Sequence, residues 1–222
     1  HMDMNGNSEL AVPQNTLGAE LRQLENKQWE QITLPHTPFV EPLTVLHQWQ
    51  GICYYKKKIT ITPEEAKKHI WIEFEGAMHL ADVWINGKHV MQHAGGYTPF
   101  VVDATGLLKT GKENELLVRL DNRNNSLIPP GKPLETLDFC YYGGIYRNVH
   151  LIAKADVHIT HPILDGHPAG AGIFITYPKV SQELSVVDAK TEIKNTSDKE
   201  KVVELRHTLY TWERQKGKDK KV

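Results

Sequence analysis

The chain has 222 residues, 40% of them hydrophobic and 24% charged, with a formal net charge of −1. That length suits one large β domain or two modest ones, and the near-neutral charge supplies no field to gather nucleic acid or an acidic membrane. No apolar run approaches the roughly 20 residues of a membrane span. No secretion signal is visible, and the opening His1-Met2 reads as a tag remnant standing where a leader would.

Residues 1–26 are polar and turn-rich, with one short helical stretch expected over Leu17 to Leu24. From Trp29 onward the pattern is strands. Tyr54 to Ile61 alternates until Pro63 stops it, and Ile70, Ile72 and Phe74 share one face while Trp71 and Glu73 take the other. In ADVWINGKHV the Asn86-Gly87 pair tolerates positive φ at both central positions, which predicts a tight type I′ hairpin. Further strands are expected at Val101-Val102, Leu116 to Leu120, Tyr146 to Ala153 and Val157 to Ile159, with the irregular DNRNNSLIPPG between the second and third. Turn signals recur about every 10 to 15 residues with almost no helix between them, so the fold class is all-β: an antiparallel jelly-roll β-sandwich, not a parallel α/β sheet.

A second unit is expected to begin near Ser181. Ser185 to Asn195 and Val202 to Trp212 read as two strands separated by NTSDKE, and KGKDKK reads as another hairpin turn. Two strands cannot bury a core alone, so the sequence is expected to end part-way through that domain. The predicted organisation is an extension over 1–26, a β-sandwich over 27–180 and an incomplete second sandwich over 181–222. The basic tail RQKGKDKKV is taken as a solvated turn.

Chemistry-bearing motifs are sparse. Twelve histidines form no HExxH or tight His/Cys cluster. His89 and His93, four apart, suit a helix, yet they flank a hairpin strand. Neither a nucleophile elbow, a phosphate loop nor a dinucleotide fingerprint is present, so neither a metal nor another cofactor is expected. Glu73 and Glu75 read as a solvated sheet face, and Cys53 and Cys140 as free buried thiols. Trp49, Trp84, Tyr97, Phe139, Tyr141 and Tyr142 lie in or beside loops, where flat rings suit sugar faces; for Trp71 and Trp84 the core is the preferred reading.

The stretch TLDFCYYGGIYRNVHL sets Asp138 among aromatics, ahead of two glycines that read as a flexible joint. Two readings stand. Asp138 forms a turn by capturing local backbone N–H groups, or it is presented on a loop to grip something polar.

WEQITLPH (29–36), GICYYKKKITI (51–61), FEGAMHLADVWINGKHV (74–90), HAGGYTPFVVDATGLLKTGKENELLVRLDN (93–122) and GGIYRNVHL (143–151) come in the order, and with the wording, of one family. The sequence resembles the N-terminal sugar-binding domain of glycoside hydrolase family 2, the β-galactosidases and β-glucuronidases. The similarity covers about residues 27–180, and residues 181–222 resemble the start of that family's immunoglobulin-like domain.

The resemblance implies a retaining glycosidase whose two catalytic glutamates sit on a (β/α)₈ barrel that this chain lacks, so no catalytic residue is expected here. The expected role is a non-catalytic carbohydrate-binding domain, of a β-galactosidase in the first reading. It also implies that Asp138, counted back from Gly144-Ile145-Tyr146-Arg147, reaches into the barrel's active site and binds sugar hydroxyls, with Tyr141 and Trp49 as companion substrate-binding residues. Gln48-Trp49-Gln50 stands where some β-galactosidases supply an asparagine, which leaves galactose and glucuronate both open. The expected partner is a β-linked galactoside or glucuronide, with no nucleic acid and no membrane. The oligomeric state stays open, as does the compartment, between periplasmic or secreted and cytoplasmic. A free-standing lectin and a pure scaffold are the alternatives.

Overall fold

The structure is a computed structural model that describes residues 2–4, 8–11, 29–39, 48–167, 171–210, 212–215 and 218–221. The helical stretch expected over Leu17 to Leu24 lies outside the described residues. The chain divides into two compact units, His1–Ala155 and Asp156–Val222.

The first unit is a sandwich of two antiparallel sheets. Its strands are β1 (Met2–Asp3), β2 (Ser8–Ala11), β3 (Glu30–Ile32), β4 (Ile52–Ile59), β5 (His69–Phe74), β6 (Leu80–Ile85), β7 (Lys88–Ala94), β8 (Phe100–Asp103), β9 (Asn114–Asp121) and β10 (Val149–Lys154). One sheet runs β3-β2-β4-β9-β6-β7 and the other β1-β10-β5-β8. Period-two alternation decides what each sheet turns inward. From the larger sheet come Cys53 and Tyr55 of β4, Leu116, Val118 and Leu120 of β9, and Ala81, Val83 and Ile85 of β6. From the smaller come Ile70, Ile72 and Phe74, which share a face as their spacing implied, with Val102 and Leu151 opposite them. The Phe74 and Phe100 rings stack at 4.6 Å between centroids. Each fully buried side chain of this kind contributes about 1.5–3 kcal/mol. Trp71 takes the other face of β5 and is buried against Val101 and Ile152.

The hairpin forms where Asn86-Gly87 predicts it. Both residues have positive φ, 50° and 80°, and Ile85 pairs with Lys88. A bulge between Val83 and Trp84 then shifts the register, so Trp84 faces His89.

The second unit contains β11 (Val157–Ile159), β12 (Ile173–Val180), β13 (Ser185–Thr191), β14 (Ile193–Asn195), β15 (Trp212–Gln215) and β16 (Lys218–Lys221). Three features differ from the sequence reading. The compact units divide after Ala155 rather than near Ser181, because β12 pairs with β13 and β11 with β14. The single strand expected from Ser185 to Asn195 breaks at Glu192, where the chain changes partner. Residues 201–210 form no strand among the described residues, and Val202 and Leu209 are almost fully exposed. Alternation marks which side chains would face a core, but a strand exists only when its N–H and C=O rows are paired.

The topology also fixes where loops gather. β4 starts opposite the end of β9, and β6 starts there too: Ile52 and Leu80 both pair with Asp121. β5 ends where β8 and β10 begin, with Phe74 against Phe100 and Val149. The segments 48–51, 75–79, 95–99 and 122–148 therefore emerge at one end of the sandwich.

Candidate functional site

Asp138 lies in the longest of these loops, between Leu137, which is buried, and Phe139, which is 42% exposed. Its side chain is exposed, and among the described residues no hydrogen bond, ion pair or ring contact holds it. The turn reading requires captured backbone N–H groups, and Asp138 captures none. Its carboxylate is free to bind something else.

The loop beneath Asp138 is anchored on all sides. Asn122 opens it, with Oδ1 accepting from Gly51 N–H at 2.8 Å and Nδ2 donating to the Trp49 carbonyl at 3.0 Å. Asn124 N–H donates to Gln50 Oε1 at 3.1 Å, while Asn124 Oδ1 accepts from Leu134 N–H at 2.9 Å. Leu134, Leu137, Tyr141 and Met78 form a separate apolar cluster with Tyr146 packed against it. The loop closes where Met78 N–H donates to the Gly144 carbonyl at 2.9 Å and His36 N–H to the Ile145 carbonyl at 2.8 Å.

The two glycines expected to act as a flexible joint are points of close approach instead. A Cβ on Gly144, at φ +101°, would sit 2.5 Å from the His36 carbonyl oxygen and 2.6 Å from the Tyr55 hydroxyl. A Cβ on Gly143 would meet Asn122 Nδ2 at 2.9 Å and the Trp49 ring at 3.1 Å.

The sequence-predicted companions lie lower than Asp138. Tyr141 is only 3% exposed. Its N–H donates to Gln48 Oε1 at 2.6 Å, and its hydroxyl lies 2.8 Å from His79 Nδ1 and 3.3 Å from the Pro129 carbonyl. Burial pushes the phenol pKa up, and the nearby Tyr97 and Tyr146 add to the rise. Trp49 is half-buried against the main core, its ring tilted on Phe39 at 5.1 Å. Exposed rings at this end include Tyr97, 52% exposed and edge-on to Tyr141, Phe139, and Phe39 on Trp49.

Beside the loop, an open cleft of about 530 Å³ is lined by Gln50, His79, Asp121, Arg123, Asn124 and Asn125. Burial drives the Asp121 carboxyl up, but bonds from Arg123 (2.8 and 2.6 Å) and the charges of Arg123 and Arg119 outweigh it and hold the group below its usual value. Arg119 also reaches Asp82, which His89 and Gln92 complete. His79 is held below its ordinary pKa by desolvation, against the pull of Asp121.

Other sequence candidates find local partners. His89 sits edge-on to Trp84, and His93 stacks on Phe100 at 4.5 Å. Glu75 binds His150 Nε2 at 3.1 Å and Asn148 Nδ2 at 3.2 Å. Cys53 is fully buried, its thiol pKa pushed up by desolvation first and by Asp121 second; both cysteines are free thiols, and Cys140 is half-buried. Sequence reasoning gave no role to Gln48 or His79, which hold Tyr141. The one available signal was a histidine, His79, placed among apolar residues just before a strand.

Residues 3–155 match the family model described as glycosyl hydrolases family 2, sugar binding domain. A beta-glucuronidase of Formosa agariphila is 32% identical over 190 residues, covering 80% of this chain and 19% of that protein. A beta-galactosidase of Thermoanaerobacter pseudethanolicus is 33% identical over 192 residues, covering 84% of this chain and 26% of that protein. The crystal structure of a Bacteroides uniformis beta-glucuronidase superposes with a TM-score of 0.71 at 29% identity, over 88% of this chain and 22% of that one. The chain thus spans about a fifth to a quarter of the length of the curated relatives it matches.

Proposed function

The chain belongs to glycosyl hydrolase family 2 and carries that family's sugar-binding domain, and from this we propose that it is the non-catalytic N-terminal part of a retaining enzyme acting on β-galactosides or β-glucuronides. Relatives bearing both names support keeping both glycones. Retaining hydrolysis needs two carboxyl groups about 5–5.5 Å apart across the scissile bond, a pair we assign to a catalytic barrel elsewhere in the protein. The stretch after Ser181, with the strands that pair with it, is taken as the start of the immunoglobulin-like domain.

The sandwich acts by presenting Asp138 to the sugar. The supporting observation is an exposed carboxylate with no partner of its own on a loop fastened at both ends. Charge-assisted hydrogen bonds from sugar hydroxyls to such a group are each worth about 1.5–3 kcal/mol when water is excluded. Trp49 and Tyr141 contribute from beneath, as the floor that shapes the loop.

The test is Asp138→Ala in the intact enzyme. We expect kcat/KM on aryl β-galactosides or β-glucuronides to fall by about tenfold to a thousandfold, equivalent to roughly 1.4–4 kcal/mol. If the contacts tighten as the glycone distorts, the loss falls on kcat as well as KM. Unchanged kcat/KM on both substrate classes would overturn the assignment.

A further inference from the structure

Tyr141 follows Asp138 by three residues, is buried, and is gripped from two directions. One grip is on its backbone: Gln48 Oε1 accepts the Tyr141 N–H at 2.6 Å, across 93 positions of sequence. Gln48 spends its oxygen there at a cost. Its Nε2 is buried with no hydrogen-bond partner, the one such side-chain atom found among the described residues. Turning the amide over would set that donor against the Tyr141 N–H, so the orientation is dictated by the loop. A buried donor without a partner is penalised, and the fold retains it where it fixes this one peptide.

The other grip is on the hydroxyl, which touches His79 Nδ1 at 2.8 Å and the Pro129 carbonyl at 3.3 Å. A carbonyl only accepts, and the phenol has one proton. Both contacts are satisfied when Tyr141 donates to Pro129 and accepts from an Nδ1–H of His79. Desolvation favours the neutral imidazole of His79, and its Nδ1–H tautomer completes the chain His79–Tyr141–Pro129. His79 is itself fixed by its backbone, which donates to the Asp121 carbonyl and accepts from Gly95 N–H at 2.9 Å. The grip therefore ties the loop to the ends of strands β6, β7 and β9.

We propose that Gln48, His79 and Tyr141 form a clamp that positions Asp138 for the sugar, acting on the reaction only through that carboxylate. With Leu137 buried immediately before Asp138 and Tyr141 three residues after it, the exposed segment is a short arch on two fixed feet. A carboxylate held this way is ordered before the sugar arrives, so binding need not supply the cost of ordering the loop. None of the three clamp residues is assigned contact with substrate; they are positioning residues.

The inference rests on the role proposed for Asp138, and a double-mutant cycle in the intact enzyme separates the two. Tyr141→Phe keeps the buried ring and deletes only the hydroxyl. Gln48→Met keeps the side-chain volume and deletes the acceptor. Each is expected to lower kcat/KM by about 2- to 10-fold, the range of one net hydrogen bond. On the Asp138→Ala background the same substitutions are expected to add nothing, because the group they position is gone. A merely structural role would carry through to both backgrounds. Equal losses with and without Asp138 overturn the clamp while leaving Asp138 in place, and so does an unaltered kcat/KM in both Tyr141→Phe and Gln48→Met. An Asp138→Ala enzyme with full activity overturns the parent reading first, and the clamp with it.

Discussion

Replacing Gly144 by alanine tests how the Asp138 loop is fastened. The new Cβ would lie 2.5 Å from the His36 carbonyl, 2.6 Å from the Tyr55 hydroxyl and 2.9 Å from Pro38 Cδ. These neighbours have little room to give. His36 N–H is bonded to the Ile145 carbonyl, and Tyr55 is 3% exposed with its hydroxyl 3.2 Å from His36 Nδ1. The backbone adds its own penalty, since φ +101° is outside the range an L-residue adopts easily. Strain of about 1–2 kcal/mol and overpacking of about 1–3 kcal/mol together give roughly 2–5 kcal/mol. For a protein of this size that lowers Tm by about 5–20 °C. Gly87→Ala separates the two terms, because Gly87 also has positive φ (80°) but nothing lies within 4 Å of an added Cβ. It should cost the strain alone, about 1–2 kcal/mol. Thermal unfolding followed by circular dichroism measures both. If Gly144→Ala melts with wild type, or no lower than Gly87→Ala, the close-approach argument fails.

Two further outcomes are expected. Burial holds His36, His79 and His93 below the ordinary value of 6.5, so below that pH the unfolded chain takes up protons first and stability declines as pH falls. Asp121, held below 3.8 by its arginines, adds a second loss as pH drops through its lowered value; on the acid side of about pH 7 Tm should fall in those two stages, and a Tm that rises between pH 7 and 5 contradicts the sign. The 222-residue chain alone should not hydrolyse aryl β-galactosides or β-glucuronides, and it should bind free monosaccharide no tighter than about millimolar, one carboxylate having to offset an association cost of at least about 4 kcal/mol. Micromolar binding by calorimetry would favour the lectin alternative.

What could be read in the residues was local. Asn86-Gly87 specifies its turn because both positions need positive φ, and Ile70, Ile72 and Phe74 specify a buried face because strand side chains alternate. What could not be read depended on distant partners. Ser185 to Asn195 looks like one strand because alternation says nothing about which neighbour each half will pair with. Tyr141 looked like a sugar platform because a tyrosine beside a loop aspartate is as apt to face outward as inward. Its burial depends on Met78 and Leu134, and on a glutamine 93 positions away. No pattern within the TLDFCYY stretch encodes those contacts.

Four other short polar side chains among the described residues bear on the turn reading of Asp138. Asp103 accepts from Thr105 N–H at 3.0 Å, Asp121 from Arg123 N–H at 3.1 Å, Asn125 from Leu127 N–H at 2.9 Å and Asn195 from Ser197 N–H at 3.1 Å. In each, the side chain captures the N–H two residues ahead and makes the turn. Asp138 is also short, acidic and in a loop, yet it makes no such bond. The Asx device serves those four positions and is used neither at Asp138 nor at the exposed loop residue Asp198. It follows that Asp103→Ala and Asp138→Ala should differ in stability although both residues are exposed aspartates. The first deletes a side-chain-to-backbone bond and should cost about 0.5–1.5 kcal/mol. The second deletes nothing the domain uses and should stay within about 0.5 kcal/mol of wild type. Urea unfolding of the two variants side by side reads the difference directly. An Asp138→Ala chain destabilised as much as Asp103→Ala would return Asp138 to the turn and remove the ground for its presentation to a sugar.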